Sequence, residues 1–320
     1  MTGRQEKKSQ GSTIVFSIGR ESVFSIPIGR ESSIELQIFG GRIMPRVSLL
    51  GPPGTYTEEA ATHMLRKDLR QDLALLDSNS AVVQQVENGE SDMGILPLEN
   101  SNVGYILENL GDLVSAKNVQ IMGEIVIPIR HMLVGRDLKT ARTVYSHEQA
   151  LAQCKSRLQL LVPGYMPIRT DSTSAALEEV KADPYGLAIA SKRAAELNGL
   201  PVLVEDIQDH YNNQTRFVLI GKGKTSSSGY DRTVLISKLS DHKTERKRDL
   251  FEVIGQNGFT IESANEYQGN FLMISVNGHI QNTGMTEVVA GIKRRSEYFK
   301  LLGSYKKVGT LEEFDFPYST

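Results

Sequence analysis

Short apolar runs that end in a polar turn and lead straight into a helical composition recur along this chain, and that alternation restricts its fold more than any other feature. Val47 to Leu50 meets GPPGT and is followed by TEEAATHMLRK. Leu73 to Leu76 precedes a helix over Ser80 to Asn88, Met93 to Leu96 runs into PLENSNVG, and Thr143 to Tyr145 runs into SHEQALAQC. Strands alternating with helices imply parallel α/β layers. Ile125 to Val134 and Leu187 to Ala190 read as further strands. In such sheets ligands bind outside the carboxyl ends of the strands, where these polar turns fall.

The pattern changes after Gly221. GKGKTSSSG, from Gly221 to Gly229, is Gly/Ser-rich with no apolar periodicity and reads as a linker. Beyond it, Thr233 to Leu239 reads as a strand, Thr244 to Gln256 as a helix, and Phe259 to Tyr267 and Phe271 to Ile280 as strands. Thr286 to Arg295 then reads as a helix and Tyr298 to Val308 as extended. The order β-α-β-β-α-β is that of a ferredoxin-like module. The first 43 residues differ again, with a near-duplication of VFSIGRES as VFSIPIGRES. Two copies make no solenoid, and the segment is expected to be disordered or weakly strand-like and dispensable.

Several classes are excluded. No apolar run approaches the roughly 18 to 20 residues that span a bilayer, and no signal-peptide core follows the basic start. A net charge of -2 offers no general attraction to nucleic acid. The single cysteine, Cys154, forbids an internal disulfide, and the six histidines lack a helical ligand pair, so metal-free chemistry in the cytoplasm is expected.

The residues suited to chemistry are neutral hydrogen-bonding groups beside helix starts. Thr55 and Glu58 have capping-box spacing, and Ser146 and Gln149 repeat it. Helix N-termini also offer free amides to anions, and Ser172, Thr173 and Ser174 before AALEEV make a third such start. Gln153 lies seven residues after Ser146, two helical turns along one face. Asn100 and Ser101 follow Glu99, and Asn213, Gln214, Thr215, Arg216 and Phe217 stand at the mouth of the apolar run Val218 to Ile220. His147 reads as a satisfied helix-start histidine, Cys154 as packed, and Glu99 as either a general acid or a structural carboxylate. A small ligand carrying carboxylates fits this inventory.

Read in order, GPPGTYTEEA, PLENSNVG, SHEQALAQC, TDSTSAA and NNQTRF resemble prephenate dehydratase. The resemblance covers residues 46–225 as a catalytic region, with 231–309 similar to an ACT-type regulatory domain and 310–320 a tail. It implies an α/β fold, with two lobes like those of periplasmic binding proteins around a substrate cleft, and a ferredoxin-like βαββαβ (ACT) domain. Thr215 matches the family's catalytic threonine. Asn100, Ser146 and Gln153 match substrate positions, while Thr55, Ser101, Thr173, Arg216 and Phe217 fall inside matched motifs. Tyr56 stands where the family usually has Phe, and Glu148 where it has Pro.

The implied reaction removes water and carbon dioxide from prephenate to give phenylpyruvate in phenylalanine biosynthesis, without a cofactor. Thr215 would donate a proton to the departing hydroxyl, with Arg216 near a carboxylate. Arogenate dehydratase and a non-aromatising prephenate decarboxylase are the enzymatic alternatives, and a non-catalytic aromatic amino acid or keto acid sensor is the alternative of another class. The resemblance also implies a homo-oligomer with an amino-acid effector at the ACT module. There the family's Gly-Ala-Leu turn is replaced by a charged run containing Lys247 and Arg248. Its Glu-Ser-Arg-Pro stretch keeps Glu262 and Ser263 but has Ala264 and Asn265. Weak or altered inhibition by phenylalanine is therefore expected.

Overall fold

The computed structural model describes residues 12–15, 23–28, 32–37, 45–65, 73–238, 243–267 and 271–308. Three strands come first: β1 (Ser12–Val15), β2 (Val23–Ile28) and β3 (Ser32–Gln37). Of the segment 1–45, expected to be disordered or at most strand-like, these stretches are strand; the rest up to residue 44, like the tail 310–320, lies outside the described residues.

The first lobe contains β4 (Val47–Leu50), α1 (Tyr56–Met64), β5 (Leu73–Leu76), α2 (Asn79–Asn88), β6 (Met93–Asn100), β7 (Gly104–Tyr105), α3 (Leu107–Ser115) and β8 (Gln120–Pro128). The second contains β9 (Met132–Gly135), β10 (Thr143–Ser146), α4 (Glu148–Gln153), α5 (Lys155–Leu161), β11 (Met166–Arg169), α6 (Ala176–Ala182), β12 (Gly186–Ala190), α7 (Lys192–Leu197) and β13 (Val202–Val204). The chain then returns to the first lobe as β14 (Gln214–Gly221). Local chemistry sets the boundaries: Ser78 Oγ accepts from Ala81 N at 3.1 Å to open α2, and Gly89, at φ 80°, closes it in the left-handed region.

The apolar run Ile125 to Val134 is not one strand. It is divided between β8 and β9, which belong to different sheets, and the break at Ile129–His131 is one of two crossings between the lobes. The layers are also mixed rather than parallel: β4 pairs parallel with β5 and β6, but β14 lies antiparallel between β6 and β8. A chain that leaves a lobe and comes back supplies its last strand from the opposite direction. The second lobe has the five-stranded order β11-β10-β12-β9-β13.

β15 (Lys224–Thr225) lies inside the Gly/Ser-rich stretch and pairs with β1, so this linker is ordered. The Asp231 carboxylate fixes its end, accepting from Ser228 N at 2.8 Å and Gly229 N at 3.0 Å. The module follows as β16 (Asp231–Lys238), α8 (Lys243–Gln256), β17 (Ile261–Tyr267), β18 (Phe271–Asn277), α9 (Met285–Arg295) and β19 (Tyr298–Lys306). Its strand order β17-β18-β16-β19 is ferredoxin-like, and β19 meets β8, so one sheet runs through module and first lobe.

Side-chain alternation along β14 divides the interior. Phe217 and Leu219 join the core under α1 with Ile95 and Ile127, whereas Val218 and Ile220 join a core that includes Val234, Ile236, Leu302 and Tyr305 of the module. Each fully buried aliphatic side chain contributes about 1.5–3 kcal/mol, so this shared core makes the module structural support for β14. Leu272, Ile274 and Val276 alternate along one apolar face of β18 and pack with Leu250, Ile254, Met285 and Val288 of the module's own helices. No helix among the described residues is long and apolar enough to cross a membrane.

Candidate active site

Strand register builds the centre of the site. Thr215 lies directly opposite Asn100 across the β14/β6 ladder, and Arg216 lies opposite Glu99. The pairing then shifts between Arg216 and Phe217, a bulge of the kind that re-aims side chains beside active sites. The two motifs NNQTRF and PLENSNVG are therefore cross-strand neighbours.

The orientation of Asn100 is determined by its partners. Asn102 N donates to Asn100 Oδ1 at 3.0 Å, so the amide NH2 must face the other way. From there Nδ2 donates to Thr215 Oγ1 at 2.9 Å and to Asn213 Oδ1 at 2.7 Å. Thr215 Oγ1 thus accepts a hydrogen bond, which leaves its own proton available for another acceptor. Asn213 Nδ2 in turn donates to Gln153 Oε1 at 3.2 Å. His131 Nε2 lies 2.8 Å from that same oxygen and, facing an acceptor, carries the proton. Burial lowers the His131 pKa, with the Gln153 bond opposing, and its Nδ1 is buried without a partner. A neutral imidazole and three carboxamides thereby link both lobes to the threonine.

These groups line a cleft of about 640 Å³ between the lobes, a size suited to a small organic ligand. Pro97, Val103, Ile106, Ile129 and Phe217 form apolar wall, while Thr55, Tyr56, Thr57, Ser172 and Thr173 bring chain segments at or near helix starts to the rim. The amides of the first helical turn have no intrahelical acceptor, so α1 presents donors to an anion. Asp171, His131 and His147 are the titratable acid and imidazoles among the described lining residues; no Lys or Arg is among them.

Several expected residues are placed differently. Ser146 ends β10 and donates to Ile189 O at 2.8 Å, away from the cleft lining. The Ser146–Gln149 capping box does not form, because His147 is the cap and its ring nitrogen accepts from Gln149 N at 3.3 Å. The face of α4 in the cleft carries Gln149, Ala150 and Gln153. Thr55 caps α1 as expected, accepting from Glu58 N at 3.3 Å, while Glu58 reaches back to Gly54 N at 2.6 Å. Ser101 ties the loop to β14, its Oγ donating to Asn212 O at 2.8 Å and accepting from Gln214 N at 2.9 Å.

Arg216 does not line the cleft. Alternation turns it to the opposite face of β14, where it pairs with Glu99 and Glu124 and donates to the Tyr105 hydroxyl at 3.1 Å. Burial opposes its charge, but Tyr305, Glu124, Tyr105 and Glu99 together raise its pKa. Glu99 is accordingly engaged as an ion-pair partner. Cys154 is fully buried and its thiol pKa is raised by burial, which leaves it inert. Lys247 and Arg248 sit within α8 rather than at its start, paired with Glu266 and Glu252. Glu262 accepts from Arg232 Nε at 2.5 Å and Lys307 Nζ at 2.6 Å. Ser263 follows it on β17, just past a register shift. Sequence reasoning missed His131 in the site; its only signal was a lone imidazole interrupting an apolar run.

A two-lobed α/β fold whose cleft centres on an oriented hydroxyl among neutral hydrogen-bonding groups defines the architecture of a small-molecule enzyme. Residues 47–225 match the family model described as prephenate dehydratase. The prephenate dehydratase of Methanocaldococcus jannaschii is 30% identical over 79% of this chain and 95% of that protein. The bifunctional chorismate mutase/prephenate dehydratase of Stutzerimonas stutzeri is 32% identical over 82% of this chain and 73% of that protein. The prephenate dehydratase of Arthrobacter aurescens, solved in complex with L-Phe, superposes with a TM-score of 0.74 at 26% identity, covering 82% of this chain and 90% of that one. The chain belongs to the prephenate dehydratase family.

Proposed function

We propose that this chain converts prephenate to phenylpyruvate, with Thr215 as the proton donor. The carboxylate-bearing C–C bond breaks to release carbon dioxide, its electron pair completes the aromatic ring, and the C–O bond to the ring hydroxyl breaks. Thr215 Oγ gives its proton to the departing oxygen, forming water, and regains one from solvent. The carrying observation is the Asn100 Nδ2 donor on Thr215 Oγ1 at 2.9 Å. That bond favours developing negative charge on the oxygen and directs the hydroxyl proton away from Asn100. Gln153, Asn213 and His131 hold the substrate side of the cleft, α1 amides and the Ser172–Thr173 segment receive carboxylates, and no metal or cofactor takes part.

A homo-oligomer with an ACT-type module is part of the same reading, supported by β17, which among the described residues ends the ten-stranded sheet with no further strand beside it. An amino-acid effector is proposed at that module; the Arthrobacter aurescens prephenate dehydratase was solved in complex with L-Phe. Incubation with prephenate, and separately with arogenate, tests the activity. Phenylpyruvate from prephenate is the expected product; phenylalanine formed preferentially from arogenate would reassign the substrate, a non-aromatic product the reaction. Unchanged substrates would mark a sensor.

A further inference from the structure

We propose that Arg232, supplied by the C-terminal module, is a positioning residue for Thr215, acting through Glu124 and Arg216. The inference rests on the reading of Thr215 as proton donor. Glu124 stands in β8 with 2% of its side chain exposed. Arg232 Nη1 donates to its Oε1 at 2.8 Å and its Oε2 at 2.6 Å, the Tyr305 hydroxyl donates at 3.1 Å, and Arg216 Nη1 donates at 3.4 Å. Arg216 Nη2 is held by Glu99 and Tyr105, while its Nε is buried without a partner. Beyond Arg232, Glu262 and Lys307 complete the cluster. Three cations, Arg216, Arg232 and Lys307, balance three carboxylates, Glu99, Glu124 and Glu262.

Buried charges are tolerated only as a matched set. Without the Arg232 guanidinium, the cationic donor left to Glu124 is Arg216, at its present long distance. In a dry site the carboxylate draws that guanidinium away from Glu99 and from Tyr105, which itself lines the cleft. Arg216 is joined to Thr215 by one peptide bond, and the bulge beside it gives the strand a place to rotate. A small rotation carries Thr215 Oγ1 away from Asn100 Nδ2, and displacement of a reacting group by about 1 Å is enough to cost roughly 10²-fold in rate. Substrate contacts elsewhere in the cleft are untouched, so the loss falls on kcat.

The experiment compares Arg232→Lys and Arg232→Gln, each made in the wild-type and Thr215→Ala backgrounds, with folding checked by circular dichroism and melting. Arg232→Lys keeps the charge but cannot bridge Glu124 and Glu262 as a fork does. The expected result is a kcat loss of about 10- to 100-fold with KM changed less than about twofold. The same substitutions are expected to change kcat less than about twofold when Thr215 is already Ala. Adding Glu124→Gln to Arg232→Gln removes the stranded carboxylate and restores most of the loss. Wild-type turnover in Thr215→Ala alone would remove the parent reading. With Thr215→Ala slow, equal losses in both backgrounds, an effect on KM alone, or full activity in folded Arg232→Lys would overturn the role of Arg232.

Discussion

Asn100→Asp is the sharpest perturbation of the candidate site, because it exchanges NH2 for oxygen with almost no change in shape. The amide nitrogen currently donates to Asn213 Oδ1, Thr215 Oγ1 and Gln214 O at 2.7, 2.9 and 3.2 Å. A carboxylate oxygen there meets three acceptors. Thr215 answers by turning its proton toward the new carboxylate, which takes the donor away from the substrate. Asn213 answers by flipping its carboxamide, which breaks its bond to Gln153. Removing a positioned acid costs about 10²–10⁴ in kcat, or roughly 3–5 kcal/mol of barrier at 1.36 kcal/mol per decade. Stability falls by less, about 1–3 kcal/mol, because the flip satisfies part of the buried site. Steady-state formation of phenylpyruvate, followed on a variant shown to be folded, provides the assay. Turnover within about threefold of wild type, or a loss confined to KM, would refute the argument that Asn100 sets the direction of the Thr215 proton.

Thr215→Ser is expected to stay within roughly tenfold of wild-type kcat because the hydroxyl survives, whereas Thr215→Ala loses about 10²–10⁴; equal losses in the two would sink the donor role. Burial lifts Glu59 from 4.5 to about 6 against the pull of Arg193. The unfolded chain therefore gives up this proton at lower pH than the folded one, and stability falls as pH rises through that window. Glu59→Gln should raise stability at about pH 7.5 by roughly 1–2 kcal/mol, with no gain near pH 4; denaturant melts at the two pH values check it, and a pH-independent gain rejects it. Phenylalanine should bind with a Kd above roughly 100 μM by titration calorimetry, since the Glu262 carboxylate is engaged by Arg232 and Lys307; micromolar binding with strong inhibition contradicts this.

What could be seen in the sequence followed periodicity and punctuation. Val47 to Leu50 before GPPGT announces a strand and a helix start, and the structure has β4 and α1 there. The module was readable because its strands and helices alternate with clear breaks. Ile125 to Val134 misled because a ten-residue, mostly apolar run looks like one strand, and only Pro128, Arg130 and His131 hint that the chain changes sheets. Ser146 misled in the same way: cap spacing identifies a helix start but not which of two adjacent side chains turns toward the free amide. Thr215, Asn100 and Gln153 were legible as a polar set, and their geometry was not, since it depends on pairing between positions more than a hundred residues apart. Arg216 shows the limit most clearly. Its residue type suits a substrate carboxylate, yet strand alternation sends it to Glu124 on the far face.

A cleft whose described lining carries no Lys or Arg also governs how a dianion arrives. No cation among the described lining residues draws it in, and the net charge of -2 opposes approach slightly. Capture therefore depends on amide and hydroxyl donors that act only at contact distance. Association should be slow beside electrostatically steered enzymes, and nearly indifferent to ionic strength, because little field exists for salt to screen. The compensation is on departure: once its second carboxylate has become carbon dioxide, the product has lost half the charge those short-range donors were holding, and it leaves without a cation to escape from.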